Sequence, residues 1–302
     1  MIEINSISKS YNDTLALDQV GFQVKKNELF GLIGPDGGGK TTLFRILTTL
    51  LLPESGSAKL DGMDVVKDYK KIREIIGYMP GRFSLYQDLS VEENLNFFAT
   101  VFDTTLEENY DLIADIYKQI EPFKKRLAGR LSGGMKQKLA LSCALIHKPK
   151  ILILDEPTTG VDAVSRMEFW QMLKKLQSKG ITILVSTPYM DEASLCDRIA
   201  LIQNGKILSI DTPQNTTKKF PKKLLAINAE SKYKLITDLR NYPNSGTVYP
   251  FGEFVHFTAE NNKPDIDELT NYLTEKGNKN IQIIHADANI EDCFMELMNS
   301  RQ

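Results

Sequence analysis

The chain has 302 residues, with 37 basic and 39 acidic side chains and a formal charge of −2. That length suits one large or two modest domains with a sizeable core, and the balanced charge argues against a nucleic-acid partner or an anionic-lipid surface. The three cysteines, Cys143, Cys196 and Cys293, are scattered, which argues against a disulfide framework or a zinc site and for reduced thiols in a cytosolic protein.

The first residues, Met1-Ile2-Glu3-Ile4-Asn5, lack the basic head and apolar run of a secretory signal. No stretch of about 18 apolar residues occurs, so work at a membrane would require another chain to span it. Residues 1–28 alternate apolar and polar positions (Ile2, Ile4, Ile7; Leu17, Val20, Phe22, Val24), the period of antiparallel strands. Tyr11 falls in a polar turn. There it suits stacking on an adenine base or serves as an ordinary loop residue, and position alone leaves both open.

The segment Phe30–Thr42 organises the chain. An apolar run, Leu29–Ile33, predicts a buried strand; Gly34-Pro35-Asp36-Gly37-Gly38-Gly39-Lys40-Thr41-Thr42 follows; a helical pattern begins at Thr42. Glycines let successive N–H groups curl inward around phosphate oxygens, and the new helix adds its positive end. Lys40 reaches terminal phosphates, and the Thr41 hydroxyl suits Mg²⁺, a hard cation that prefers oxygen. The pattern predicts a nucleotide triphosphate site.

Beyond it, Leu51–Gly56 turns into a strand around Ala58-Lys59-Leu60, and Ile75–Met79 predicts a short buried strand followed by a loop, Pro80–Ser84. Residues 88–128 show helical spacing, with Ser90 as N-cap ahead of Glu92 and Glu93. A helical insertion of about 88–145 is expected. It ends in a helix that starts at Ser132-Gly133-Gly134, where bare N–H groups and a hydroxyl again suit an anion.

Ile151–Leu154 predicts a buried strand ending in Asp155-Glu156. At the carboxyl end of such a strand Asp155 is placed to hold Mg²⁺ and Glu156 to act as general base toward water. A helix from Val164 to Ser178, a strand Ile181–Ser186, a helix opened by Thr187 and Pro188, and a hairpin turning at Asn204-Gly205 complete this part. At Lys218 the composition shifts to a basic, linker-like stretch, 218–223. The remaining residues predict strand, helix, two strands, helix, strand and helix, the β-α-β-β-α-β order of a ferredoxin-like domain.

The motifs Gly34–Thr42, Leu131–Gln137 and Ile151–Asp162, in this order, resemble the ATP-binding subunit of ABC transporters over roughly residues 1–217. Ile76-Gly77-Tyr78-Met79, the segment Leu85–Leu95 and Ile290-Glu291-Asp292-Cys293-Phe294 are similar to the ABC-2 type, drug-exporter-like branch. The resemblance implies an α/β P-loop NTPase fold over 1–217 (parallel core sheet, antiparallel β subdomain, helical insertion), with a small α+β accessory domain over 218–302.

It also implies ATP and Mg²⁺ as ligands, and a head-to-tail dimer in which each nucleotide lies between one chain's phosphate loop and the other's Ser132-Gly133-Gly134. Tyr11 would stack on adenine, Thr41 and Asp155 would hold Mg²⁺, Glu156 would be the base, and Asp162 would sit in the loop crossing the dimer seam. The expected partners are a transmembrane permease, engaged through the face around Arg82–Phe98, and a second ATPase subunit. The chain would then sit in the cytoplasm, on the inner face of the membrane. A soluble ABC ATPase of translation or repair would share the motifs but would carry two fused halves or a long coiled coil.

Two positions depart from the family pattern. Where members carry a glutamine that senses Mg²⁺ and the γ-phosphate, this chain has Gly81; where they carry a histidine after the last core strand, it has Pro188. Neither side chain offers a donor or acceptor. A slow own site follows, with the intact Ser132-Gly133-Gly134 helix free to complete a partner's site. A heterodimer is favoured over a homodimer, and a catalytically silent, ATP-gated scaffold is the rival reading. The histidines, His147, His256 and His285, are expected on the surface or in strands.

Overall fold

The computed structural model describes residues 1–299 and divides the chain into two compact units that meet between Thr212 and Pro213. This boundary precedes the composition change at Lys218, because Pro213–Lys218 forms a helix counted with the second unit.

In chain order the first unit comprises β1 (Ile2–Tyr11), β2 (Thr14–Val24), β3 (Leu29–Ile33), α1 (Lys40–Leu47), β4 (Ser55–Leu60), β5 (Met63–Asp64), α2 (Tyr69–Ile75), β6 (Ile76–Met79), α3 (Val91–Val101), α4 (Leu106–Tyr117), α5 (Gly133–Leu145), β7 (Ile151–Asp155), α6 (Ala163–Ser178), β8 (Thr182–Thr187), β9 (Arg198–Gln203) and β10 (Lys206–Asp211). One sheet is antiparallel, in the order β2-β1-β4-β5. The other runs β10-β9-β3-β8-β7-β6, with every pair parallel except β9–β10.

The alternating residues of β1 and β2 turn Ile2, Ile4, Leu17, Val20 and Phe22 toward α1, whose Leu43, Phe44, Ile46 and Leu47 are also buried. The far side of this core is formed by Phe30, Leu32, Ile153 and Leu184. Phe22 stacks on Phe30 at 5.1 Å between ring centres, fastening one sheet to the other. The strands of the parallel sheet read as continuous apolar runs because helices cover them. All five residues of β3 and of β7 are buried.

Register decides where the site lies. In β3, Ile33 pairs with Thr187 of β8; in β7, Asp155 pairs with Ser186; and Met79 of β6 pairs with Leu154. The carboxyl ends of β3, β8, β7 and β6 therefore form one edge, the place where open parallel sheets bind ligands.

The insertion is split more finely than its periodicity suggests. Two capping boxes start α3 (Ser90 with Glu93) and α4 (Thr105 with Glu108), and 3-10 turns separate α4 from α5. The helix anticipated at Thr187-Pro188 begins instead at Met190 and is a 3-10 helix, Met190–Leu195. The Thr187 hydroxyl accepts the Tyr189 amide, which holds the chain in a turn rather than a cap.

The second unit contains α7 (Pro213–Lys218), β11 (Leu224–Asn228), α8 (Lys232–Arg240), β12 (Ser245–Phe251), β13 (Phe254–Ala259), α9 (Ile266–Glu275), β14 (Gln282–Ala286) and α10 (Ile290–Asn299). Its antiparallel sheet runs β12-β13-β11-β14, the ferredoxin-like order, with Leu235, Leu239, Leu269 and Leu273 of α8 and α9 packed on Leu225, Ile227, Val255 and Phe257. His256 is a buried strand residue that pairs with Asp292 of α10 at 2.8 Å. His147 departs from expectation. It follows α5, is half-buried, and stacks on Phe102 with ring centres 3.8 Å apart. Among the described residues no helix is long and apolar enough to cross a membrane.

Candidate nucleotide site

The loop after β3 closes on itself. Gly38 N–H donates to the Pro35 carbonyl at 3.1 Å, and Gly205 N–H donates to the Gly38 carbonyl at 3.2 Å. Two glycines are obligatory. A Cβ on Gly34 would lie 2.1 Å from the Ile202 carbonyl oxygen, and Gly39, at φ 99°, would bring one to 2.5 Å from the Ala16 carbonyl oxygen. Gly39 is also the N-cap of α1, with no side chain to cap the first amides, so those N–H groups are left for an anionic ligand.

Lys40 is buried at the start of α1, and its ammonium donates to the carbonyls of Gly34 (2.8 Å) and Pro35 (2.9 Å) and pairs with Glu156 Oε1 at 3.0 Å. The Asp155-Glu156 end of β7 is set by β8. Ser186 Oγ donates to Asp155 Oδ1 at 2.7 Å, and Glu156 N–H reaches both the Ser186 carbonyl (3.1 Å) and its hydroxyl (3.0 Å). Glu156 stands in the left-handed region at φ 49°, an uncommon place for a glutamate, which swings its carboxylate over the phosphate loop. Tyr78 on β6 has its phenol pushed up to about 12, by burial first and by the Asp155 charge second.

A cavity of about 330 Å³ brings together Tyr11, Asp36, Gly37, Gly38, Gly39, Lys40, Thr41, Thr42 and Glu156. Gly34 and Pro35 do not line it, but their carbonyls accept from Lys40, which does. Tyr11 is 43 % exposed at its rim, with Thr41 half-buried and Asp155 buried nearby in the fold. Donor chemistry fits a triphosphate with a hard cation: contiguous amides and one lysine for the phosphates, a hydroxyl and a carboxylate for the metal. Among the described residues no group of three or more His, Cys, Asp or Glu is placed to hold a metal ion by itself.

Gly81, exposed after β6, lies against β7; a Cβ there would come 3.1 Å from the Asp155 carbonyl oxygen and 3.9 Å from its Oδ2. Pro188 follows Thr187 at the end of β8, half-exposed.

The Ser132-Gly133-Gly134 and Asp162 positions do not line this cavity. Ser132 caps α5 by accepting the Met135 amide at 3.4 Å, and Asp162 caps α6 by accepting the Ser165 amide at 3.0 Å. That hydrogen bond holds the Asp162 carboxyl below the usual carboxylate range. The two helix starts touch, since a Cβ on Gly134 would sit 2.8 Å from Ser165 Oγ.

Sequence reasoning missed two residues. Ser186 organises both acids but sits in an unremarkable strand end. Glu192 is a buried carboxylate after β8, and nothing in its surroundings in sequence marks it. The face around Arg82–Phe98 singled out by the resemblance carries an apolar groove of about 520 Å³, whose lining includes Met79, Phe83, Leu85, Phe98, Phe102 and His147.

Residues 17–159 match the ABC transporter family model. The chain is 32 % identical over 300 residues to a Nod factor export ATP-binding protein I of Burkholderia pseudomallei, covering 98 % of this chain and 96 % of that protein. It is 42 % identical over 217 residues to a probable multidrug ABC transporter ATP-binding protein, YbhF, of Escherichia coli, but spans only 38 % of that relative's length. Among solved structures it resembles cbiO1 of Clostridium perfringens, part of the cbiONQ ABC transporter complex (28 % identity, TM-score 0.65, 72 % of this chain and 90 % of that one). It also resembles an ATP-binding cassette solved as a dimer in a post-hydrolysis state with ADP and Pi (27 % identity, TM-score 0.64, 70 % and 98 %). Residue pattern, strand order and these similarities agree: the chain belongs to the ATP-binding proteins of ABC transporters.

Proposed function

We propose that this chain is the ATP-binding subunit of an ABC-2 type exporter that closes head to tail with a second ATPase subunit and drives a separate permease. The observation that carries the ATP reading is the convergence of Tyr11, the glycine loop, Lys40, Thr41 and Glu156 on one cavity. The export reading is supported by the relatives named for multidrug and Nod factor export.

The glycine loop and Lys40 hold the β- and γ-phosphates, and Tyr11 covers the base. Thr41 and Asp155 would hold Mg²⁺, which when bound offsets the charge gathered on the phosphate oxygens. Glu156, aimed over the loop, orients water and takes its proton. Ser132, Gly133 and Gly134 complete the partner's nucleotide, and Asp162 lies at the seam between subunits. The groove beside Arg82, Phe83, Leu85 and Phe98 receives a helix of the permease, whose apolar side chains fill it.

The own site turns ATP over slowly. Gly81 and Pro188 flank Asp155 and the end of β8 without a polar group where a sensor of the γ-phosphate and water is needed. Each missing transition-state hydrogen bond costs about 10²–10³ in rate. The rival, a silent ATP-gated scaffold, rests on the same two residues. Turnover of the purified chain beside Glu156→Gln, with a binding titration, separates the readings. Tight binding with turnover no faster than the variant supports the scaffold; slow turnover that depends on Glu156 supports the degenerate ATPase, and adding a second, fully equipped subunit should raise it. Equal, fast turnover per site in the isolated chain overturns both.

A further inference from the structure

We propose that Arg166 and Glu192 are positioning residues, forming a clamp that ties the strand ends holding the nucleotide chemistry to the helix capped by Asp162. The inference rests on the ATP reading above and adds which side chains transmit it.

Glu192 lies in the 3-10 helix after β8, with its side chain 3 % exposed. Its Oε1 accepts from Thr158 Oγ1 at 2.8 Å and from Arg166 Nε at 3.1 Å, and its Oε2 accepts from Thr187 Oγ1. Thr158 is two residues beyond Glu156 on the β7 side, Thr187 is the last residue of β8, and Arg166 is in the first turns of α6. One carboxylate thus joins three elements. The guanidinium is fixed from the same segment on two further sides, over the Tyr189 ring at 4.2 Å and against Asp191 at 3.0 Å.

A buried carboxylate is a poor way to gain stability, since apolar residues of similar volume do as well or better. Its value is geometric: two oxygens and a planar fork admit one arrangement. Arg166 stands one turn after Asp162, and the same helix start abuts Gly134 through Ser165. The clamp therefore makes the ends of β7 and β8, the Asp162 cap and the start of α5 one mechanical unit. A change at Thr187 or Glu156 when triphosphate binds in the Lys40 loop moves or stiffens Asp162 on the same chain, with no partner required.

Hydrogen exchange of the full chain, with and without Mg-ATP and dilute enough to keep subunits apart, tests this. In the unaltered chain ATP should slow exchange about fivefold or more both in Gly37–Thr42 and in Gly160–Ser165. Arg166→Met, which keeps the stem against Tyr189, should retain the first effect and ATP affinity within about twofold while losing the second. Arg166→Met combined with Glu192→Gln should be no worse than either alone, as expected of one interacting unit. Equal protection of Gly160–Ser165 in Arg166→Met, or losses that multiply in the double variant, overturns the clamp. So does a variant in which affinity and both protections fall together with melting temperature, the mark of a purely structural role. No ATP protection of Gly37–Thr42 in the unaltered chain would overturn the ATP reading itself, and the clamp with it.

Discussion

The Lys40 ammonium lies 3.0 Å from the Glu156 carboxylate, and its two other hydrogen bonds go to the Gly34 and Pro35 carbonyls, so all three of its donors are used inside the loop. The residue proposed to reach phosphate and the residue proposed to address water are thus held against each other across the loop. Lys40→Met leaves the carboxylate and two carbonyls facing a thioether. ATP affinity is expected to fall about 100-fold or more, since charge-assisted contacts to phosphate are lost. The fold should lose about 1–3 kcal/mol for the unpaired groups, as read by nucleotide titration and by urea denaturation.

Restoring polar side chains at the two departures should restore turnover. Gly81 is not in the left-handed region, and a Cβ there meets the Asp155 carbonyl at 3.1 Å, so a small shift of the exposed loop admits glutamine. Gly81→Gln with Pro188→His is expected to raise Mg-ATP turnover at least about tenfold, given about 10²–10³ for a single well-placed donor. ATP affinity should stay within about threefold of the parent, because binding rests on the loop. Unchanged turnover in the double variant would show that the slow step lies elsewhere.

The Ser132 helix start does not line the chain's own cavity, which predicts a split between binding and association. Ser132→Ala removes the acceptor of the Met135 amide and should cost about 1 kcal/mol in stability. It should leave ATP affinity unchanged. In a Glu156→Gln background, where hydrolysis cannot reopen a dimer, ATP-dependent dimerisation measured by sedimentation should weaken about tenfold or more for loss of a hydrogen bond to charged phosphate.

His147 gives a pH signature. Burial holds its pKa below the usual histidine value, only partly offset by the hydrogen bond to the Ile76 carbonyl, while its ring stacks on Phe102. The native state therefore favours the neutral ring. Its contribution is fully present above the unfolded value of about 6.5 and is lost as pH falls from there through the lower folded value. His147→Phe keeps the stack and removes the titration, so the fall in urea midpoint between pH 7 and pH 5 should become shallower. A steeper fall would place the titrating group elsewhere.

The glycine loop, the acids of β7 and the Ser132 cap were legible in the sequence because their chemistry is local: φ values only glycine accepts, amides that follow one another, and a hydroxyl at a helix start. The β-α-β-β-α-β order of the second unit was legible from periodicity, and strand pairing completed it as β12-β13-β11-β14. The helix expected at Pro188 failed because Thr187 and Glu192 satisfy each other and draw the chain into a 3-10 turn.

What the sequence by itself determined is therefore the set of groups proposed to hold a triphosphate and the element each one ends or begins. Only the tertiary structure decided that β3, β8 and β7 lie side by side, so that Lys40 meets Glu156 and Ser186 meets Asp155. The same holds for the Thr158, Arg166 and Thr187 partners of Glu192, the His147–Phe102 stack and the apolar groove. Most of these contacts join residues tens of positions apart, and no periodicity records which distant side chain a buried polar group will find; packing and the cost of burying it unpaired make that choice.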